Sequence, residues 1–475
     1  MSTPGSGQLY TSSDGRLHYT KAGLFALFGW LLWGDFCFTI MEQVMKSLLP
    51  IQLKAIGASN TSLSVMLNIL PNILGFTVGP WVSFKSDRCT HRWGRRKPYI
   101  LWTMPFLCLS LVGVGFTEEI ATAVREWPLL AAYPLLSAST VTLLIVGSMI
   151  VSFAFFNEFV NSVFWYMFVD VVPENHLGRF MGLFKVVGAF SAFLFSMLAA
   201  PYVESHAANI YIVVALLYFF GFGLMCLFVK EARYVAKPGE EDPEPEKGRS
   251  LAMKLAVVKA TVRTYIRECF LSHPIYVAIF LTAFLTGLSS PAGFGIFFAL
   301  QIGVTVEQVF VIGAWFSLAG MVCHYPAGLL SDRFHPVRLT VLFSIITIPG
   351  PFLAYFFKVD LPSYILVGII WFPVAELNAA AGNVLMNRLF PKHRYGQFAS
   401  CRGMFRQVGR MVGALCIGLF LDWTVDYRTV MLYTGILNLL ETVAILVIFV
   451  WWCRLGGDAY QAPIREGEDI SGGRP

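Results

Sequence analysis

The 475-residue chain is short of charge. Asp, Glu, Lys and Arg together make up 13% of it, about half of the roughly 25% usual in soluble domains. Such a low figure, joined to high hydrophobicity, excludes a disordered chain. Patterned cysteines are missing too. The nine cysteines (37, 89, 108, 226, 269, 323, 401, 416, 453) stand singly, with no C-x-x-C and no Cys/His spacing that suggests a metal site. Most of them read as small hydrophobes within apolar runs, so no metal site and no cofactor are expected. H-E-x-x-H, G-x-S-x-G and a P-loop are all lacking, which argues against an enzyme and against direct ATP coupling. About 22 polar residues precede the first apolar run without a small-residue cleavage site, so that run is read as a retained span and not a signal peptide.

Apolar residues are what the chain has in excess. They make up 56% of it, Phe occurs 42 times, and mean hydropathy is +0.64. A single soluble core stops growing near ~250–300 residues, so a soluble multi-domain protein cannot hide this much apolar surface. The runs are continuous and about 20 residues or longer, which is what a helix needs to cross ~30 Å of hydrocarbon. Outer-membrane barrels alternate apolar and polar over only ~10 residues, and that pattern is not seen here. The sequence predicts an all-α polytopic membrane protein with twelve spans, at 23–49, 61–84, 98–116, 139–170, 179–201, 208–229, 275–300, 307–330, 337–357, 363–388, 398–421 and 428–452. An even count puts both termini on one side. Of the 35 Lys and Arg, 26 lie on the side of the termini, five on the opposite side and four within spans. That bias predicts cytoplasmic termini and a multi-pass protein of the cell (inner) membrane. The net charge of +6 therefore marks orientation and the lipid bilayer as partner, not nucleic acid.

Five segments follow: a cytoplasmic tail 1–22, a six-span bundle 23–229, a cytoplasmic linker 230–274, a second six-span bundle 275–453 and a tail 454–475. The linker opens on Glu240, Glu241, Asp242, Pro243, Glu244, Pro245 and Glu246. Lys259, Arg263 and Arg267 then recur four apart, on one helix face. Such a helix either lies on the anionic leaflet or serves as a solvated tether.

The halves repeat. Ser86-Asp87-Arg88 follows span 2, and Ser331-Asp332-Arg333 follows span 8. Pro173 to Phe180 after span 4 and Pro391 to Phe398 after span 10 share the frame Pro, Gly and Phe. The same offset carries Glu158 onto Glu376, two mid-span acids at one repeat position. A parallel six-plus-six repeat is a transporter architecture with its site between the halves.

Ser86-Asp87-Arg88-Cys-Thr-His-Arg92-Trp-Gly94-Arg95-Arg96-Lys97-Pro98 resembles the loop 2–3 signature of the major facilitator superfamily, G-x-x-x-D-R-x-G-R-R. Ser83 stands at the first glycine, and four extra residues part Asp87-Arg88 from Gly94-Arg95-Arg96. The longer form, and Asp170 to Phe180, are similar to the glycoside–pentoside–hexuronide:cation symporters and the sucrose–proton symporters. The resemblance implies two pseudo-symmetric six-helix bundles that rock about a midplane site, the major facilitator fold. In that fold spans 1, 4, 7 and 10 line the central cavity. Asp87, Arg88, Gly94, Arg95, Arg96, Asp332 and Arg333 form the expected gating motif, since acids suit helix N-termini and arginines can bridge to acids or helix-end carbonyls of the other half. The same basic residues also serve as orientation signals.

Ionisable groups at bilayer depth cost at least ~2.5–3.5 kcal/mol each, which makes each a functional candidate. Asp35, Glu158 and Glu376 are the proton-coupling candidates, with structural ion pairing the alternative for each. Glu42 lies near the outer end and can reach water. Arg402, Arg406 and Arg410 form one stripe on span 11, of which Arg402 can snorkel and Arg410 needs a partner. Equal depth on a hairpin turning near residue 393 points to Glu376 as that partner. Asn157, Asn161, Trp165 and Tyr166 on span 4 suit a polyol, amides meeting hydroxyls and rings meeting the C–H face. Trp33 and Trp371 add platforms, and Arg406 and Arg410 suit an anionic substrate. The leading reading is proton-coupled symport of a sugar or glycoside by alternating access. Sodium is the second choice of ion, because span 2 carries Asn68 and Asn72 where melibiose-type symporters carry acids. Its rivals are an exporter or facilitator of another solute, anionic or amphipathic, and a non-transporting sensor or membrane enzyme. A small-molecule substrate and a monomer are expected.

Overall fold

The computed structural model describes residues 10–12, 17–87, 89, 91–126, 138–231, 273–290, 293–357, 359–391 and 395–463. Linker residues 232–272, with Lys259, Arg263 and Arg267, lie outside them, as does Arg88.

Helix dominates, as the apolar runs require: in hydrocarbon every backbone N–H and C=O must be satisfied within the segment. Eleven helices among the described residues are long and apolar enough to cross a membrane. Span 7 differs from expectation. Where one run over 275–300 is predicted, the helix Pro274–Leu288 ends after 15 residues and a second helix, Gly295–Gln301, follows. The sequence Ser289-Ser290-Pro291-Ala292-Gly293 explains the stop. Residue 290 precedes a proline, which disfavours helical ψ, and Gly293 has φ +88°, a value that favours glycine. Span 9 is also divided, into Pro336–Thr347 and Pro349–Phe356. Short π-helical turns at Val44–Leu48 and Val65–Ile69 interrupt spans 1 and 2.

The chain divides into two compact units. One holds residues 1–235 together with Gly293–Met321 and Gly418–Trp423; the other holds Ala236–Ala292, Val322–Ile417 and Thr424–Pro475. In the first, span 4 (Ala138–Val171) packs on spans 2 and 3, and span 1 packs on spans 5 and 6. In the second, span 12 (Thr429–Arg454) packs on spans 7 and 9, and span 9 on span 10 (Leu361–Leu389). Lipid tails are as apolar as leucine, so packing between spans depends on close van der Waals approach and small residues. Gly409 and Gly413 on span 11 (Tyr395–Thr424) supply it. A Cβ at either would overlap the backbone of span 7, at Phe284 O and Leu288 O respectively. Large apolar side chains cover the outside, with Phe25, Leu109 and Leu227 all more than two-thirds exposed, the arrangement lipid favours and water does not.

Candidate transport site

In the first unit Asp35 sits on span 1 with only 2% of its surface exposed. Its Oδ1 accepts from the Thr39 hydroxyl at 3.4 Å, while Oδ2 is buried without a partner. Gly188 on span 5 leaves the room it occupies: a Cβ there would lie 3.6 Å from Oδ2. Lys185, one turn earlier on span 5, is within electrostatic range. Glu158 is seated in the same manner. Ser162, one turn on, donates to Oε1 at 3.1 Å, and the carboxylate rests against Gly75 and Gly79 of span 2. A Cβ on Gly79 would stand 2.9 Å from Oε1 and one on Gly75 3.6 Å from Oε2. Among the described residues no ion pair reaches either acid.

The aromatic groups of span 4 are engaged elsewhere. Trp165 packs on Phe168 and Phe184. The Tyr166 hydroxyl lies 3.1 Å from Ser83 Oγ, and its ring lies under the Arg96 guanidinium at 5.1 Å. Asn157 Oδ1 is buried without a partner, and Asn161 is half-buried on the next turn. Trp33 donates its indole N–H to Gly221 O at 3.1 Å, and Trp371 donates to Thr347 O at 3.3 Å. Both indoles are tied to a neighbouring span of their own unit.

The loop motif makes a clamp inside the first unit. Arg95 donates from Nε and Nη2, and Arg96 from Nε, to the two oxygens of Asp170 at the end of span 4. Arg96 Nη1 also donates to Ser86 Oγ at 2.6 Å. Glu231, just past span 6, accepts the backbone N–H of Arg95, Arg96 and Lys97 at 3.1, 2.9 and 3.2 Å. Burial pushes the Glu231 carboxyl up, and those N–H bonds pull against it. Gly94 has φ +107°, and a Cβ there would collide with Glu231. Within the first unit, Asp170 thus receives two donors from Arg95 and one from Arg96. Asp87 ends its helix, and Asp332 precedes the last residue of the helix Val306–Arg333, but both side chains lie outside the described set. Arg333 lies over the Phe334 ring at 5.7 Å.

The second unit holds a group the sequence reading did not assemble. A cavity of about 270 Å³ is lined by Thr286 of span 7, Asn378 of span 10, Arg402 and Arg406 of span 11, and Asn438 and Glu441 of span 12. Thr286 Oγ1 lies 2.7 Å from Glu441 Oε1. The Nε groups of Arg402 and Arg406 are buried with no acceptor. Arg410, one turn further, does not line the cavity, and among the described residues no ion pair joins it to Glu376, a correction to the hairpin expectation. Glu376 is within electrostatic range of Cys323 on span 8 instead.

Buried acids and arginines on helices long and apolar enough to cross a membrane mark a polytopic helical protein. The family model of the Major Facilitator Superfamily matches residues 31–378 and 275–468, and the chain belongs to that superfamily. Over 80 residues, 17% of this chain and 15% of the relative, it is 42% identical to sucrose transport protein SUT1 of Oryza sativa subsp. japonica. It is 35% identical over 107 residues to solute carrier family 45 member 4 of Mus musculus, 22% of this chain and 12% of the relative. The matched segments thus span only a small part of these relatives' length. Two solved structures share the fold. One is a bacterial homologue of the human lysosomal transporter Spinster, inward-facing and unoccupied, with TM-score 0.63 and 13% identity over 91% of this chain and 97% of that one. The other is a D-xylose–proton symporter, with TM-score 0.56 and 14% identity over 89% and 96%.

Proposed function

We propose that the chain is a proton-coupled symporter of a sugar or glycoside, working by alternating access in the cell membrane with both termini cytoplasmic. One observation carries the proton: Asp35 and Glu158 are held in a span by one hydroxyl each, with no ion pair to either among the described residues. A carboxyl so placed loses its burial cost when it takes up a proton. Loading a proton with the solute then lets the carrier reorient, while loading one alone does not. Similarity to sucrose transport proteins supports the choice of sugar, and Asn157 and Asn161 offer amides to hydroxyls. Asp35, Glu158 and Glu376 remain the coupling acids of this reading, and a monomer suffices for it.

The test is uptake into proteoliposomes of purified protein, with a panel from sucrose and maltose to glucose and xylose. An inward proton gradient should concentrate at least one sugar, and a sodium gradient of equal size should not. Uptake driven by sodium alone, or no sugar accumulated under either gradient, overturns the reading. A second reading follows from the buried Nε groups of Arg402 and Arg406: two buried Nε donors without acceptors suit an anionic solute. Organic anions in the same panel separate the two, since only this second reading has them outcompete sugars.

A further inference from the structure

We propose that Glu441 is a proton-binding residue of the second unit, and that Arg406 answers to its charge: free for solute oxygens when Glu441 is protonated, captured by it when it is not. This rests on the symport reading above and gives it a second proton site, off spans 1 and 4.

Hydrogen counting carries the first step. The Thr286 hydroxyl owns one proton, and two acceptors lie within reach of its oxygen, Thr282 O at 2.8 Å and Glu441 Oε1 at 2.7 Å. Bonding back to the carbonyl four residues earlier is what a threonine hydroxyl does in a helix. If the proton goes there, the shorter contact needs a proton from the other side, and only a carboxylic acid supplies it. Glu441 then donates and Thr286 accepts, and both contacts are satisfied at once.

Arg406 gives the second step. It faces the same cavity, within electrostatic range of Glu441, yet no ion pair within bonding distance joins them among the described residues. Its Nε is buried without an acceptor, and so is that of Arg402. A carboxylate within electrostatic range of Arg406 would draw a donor from it, and a neutral acid has less pull. Apart from Arg402 and Arg406, the polar groups lining the cavity beside Glu441 are uncharged: hydroxyls from spans 7, 9 and 12, Asn378 from span 10 and Asn438 from span 12. Of the remaining charges nearby, Arg410 and Glu376 do not line the cavity. Donors therefore outnumber acceptors while Glu441 is protonated. The about 270 Å³ of space is many times the ~10–15 Å³ that one water needs, and an acceptor-rich solute such as a polyol fits that surplus.

The cycle balances. Glu441 releases its proton to water in the cavity, the carboxylate accepts from Arg406, and the solute loses that donor. Taking the proton back frees Arg406. By linkage, solute and proton raise each other's affinity by the same factor.

The experiment uses the full chain in proteoliposomes with sucrose as probe, and Glu441→Gln as the locked neutral form. In the wild type, the proton linked at Glu441 should lower apparent sucrose affinity about tenfold per pH unit above its titration point. In Glu441→Gln that tenfold-per-unit contribution should vanish, leaving only the dependence of the other coupling acids, with sucrose exchange retained and accumulation under the same proton gradient reduced. Infrared difference spectra of the unliganded protein, titrated with pH, should show a carboxylic-acid C=O band that Glu441→Gln removes. That arm needs no substrate. Arg406→Gln should weaken sucrose binding and leave the band in place. Full pH dependence in Glu441→Gln, or no band lost with it, overturns the proposal. If the wild type accumulates sucrose under a proton gradient and the variant does so equally, this inference fails and the symport reading stands. If the wild type accumulates no sugar but the band is lost with Glu441→Gln, the proton site stands and the symport reading fails.

Discussion

Removing Asp170 should cost the first unit more than removing any one of its arginines. Asp170 is 14% exposed and accepts from Arg96, 4% exposed, and from Arg95, 22% exposed. Deleting one member of a buried pair typically costs ~3–5 kcal/mol, because the partner is left charged and dry. Arg95 is the wetter of the two and regains some hydration, so about 3 kcal/mol is expected for Asp170→Asn. Arg96→Met leaves Asp170 satisfied by Arg95 and should cost less. In the double variant the buried guanidinium is gone, so Asp170→Asn no longer strands it. The sum of the single effects should then exceed the double by about 1–3 kcal/mol. Equilibrium unfolding in mixed micelles reads the three variants against the wild type. The same cycle with Glu231→Gln in place of Asp170→Asn should be additive, since Glu231 bonds backbone N–H groups and not the guanidinium. Additivity within ~0.5 kcal/mol for Asp170 and Arg96 would refute the clamp as an energetic unit.

Glu158→Gln should abolish accumulation driven by a pH gradient and keep solute exchange; a variant that still concentrates solute removes Glu158 from the coupling acids. Gly409→Ala should destabilise the second unit by about 1–3 kcal/mol, since its Cβ meets span 7 backbone and overpacking costs that much. Gly182→Ala, with nothing within 4 Å of the new atom, should instead raise the melting temperature slightly, by helix propensity alone. Asp422→Ala removes three bonds at the start of span 2, from Asn60 N, Thr61 N and the Thr61 hydroxyl. The loss should resemble that of an N-cap, about 0.5–2 kcal/mol, with Asp422→Asn recovering part of it; no change in melting temperature for Asp422→Ala would refute the capping role.

The spans were legible because hydrocarbon imposes one rule on every residue of a run. Length and continuity alone place Ala207–Phe228 and Thr429–Arg454 within a few residues of 208–229 and 428–452. Breaks were not legible from hydropathy. Span 7 is apolar throughout 275–300, and only the Ser-Ser-Pro-Ala-Gly sequence within it marks where the helix Pro274–Leu288 stops. Glu231 carried no signal either. Its role depends on three N–H groups 134 to 136 residues away, exposed by the turn at Gly94.

Depth and azimuth are separate coordinates, and the arginine stripe shows the consequence. Counting from the hairpin tip places Glu376 and Arg410 at one depth, but says nothing of which way each helix faces. Asn378 faces the cavity that Arg402 and Arg406 line. Glu376 lies two residues earlier, which at 3.6 residues per turn is about 160° around the helix from Asn378. It therefore turns toward span 8 and away from the stripe. The acid that does face Arg406 is Glu441 on span 12. The rule that singles out charged residues at bilayer depth applies equally to Glu441, which lies 13 residues into its predicted span. Its partner on span 7, Thr286, is an ordinary threonine in an apolar run and gains meaning only from the 2.7 Å contact. Sequence thus marks which groups are costly to bury, while the faces of packed helices decide which of them meet.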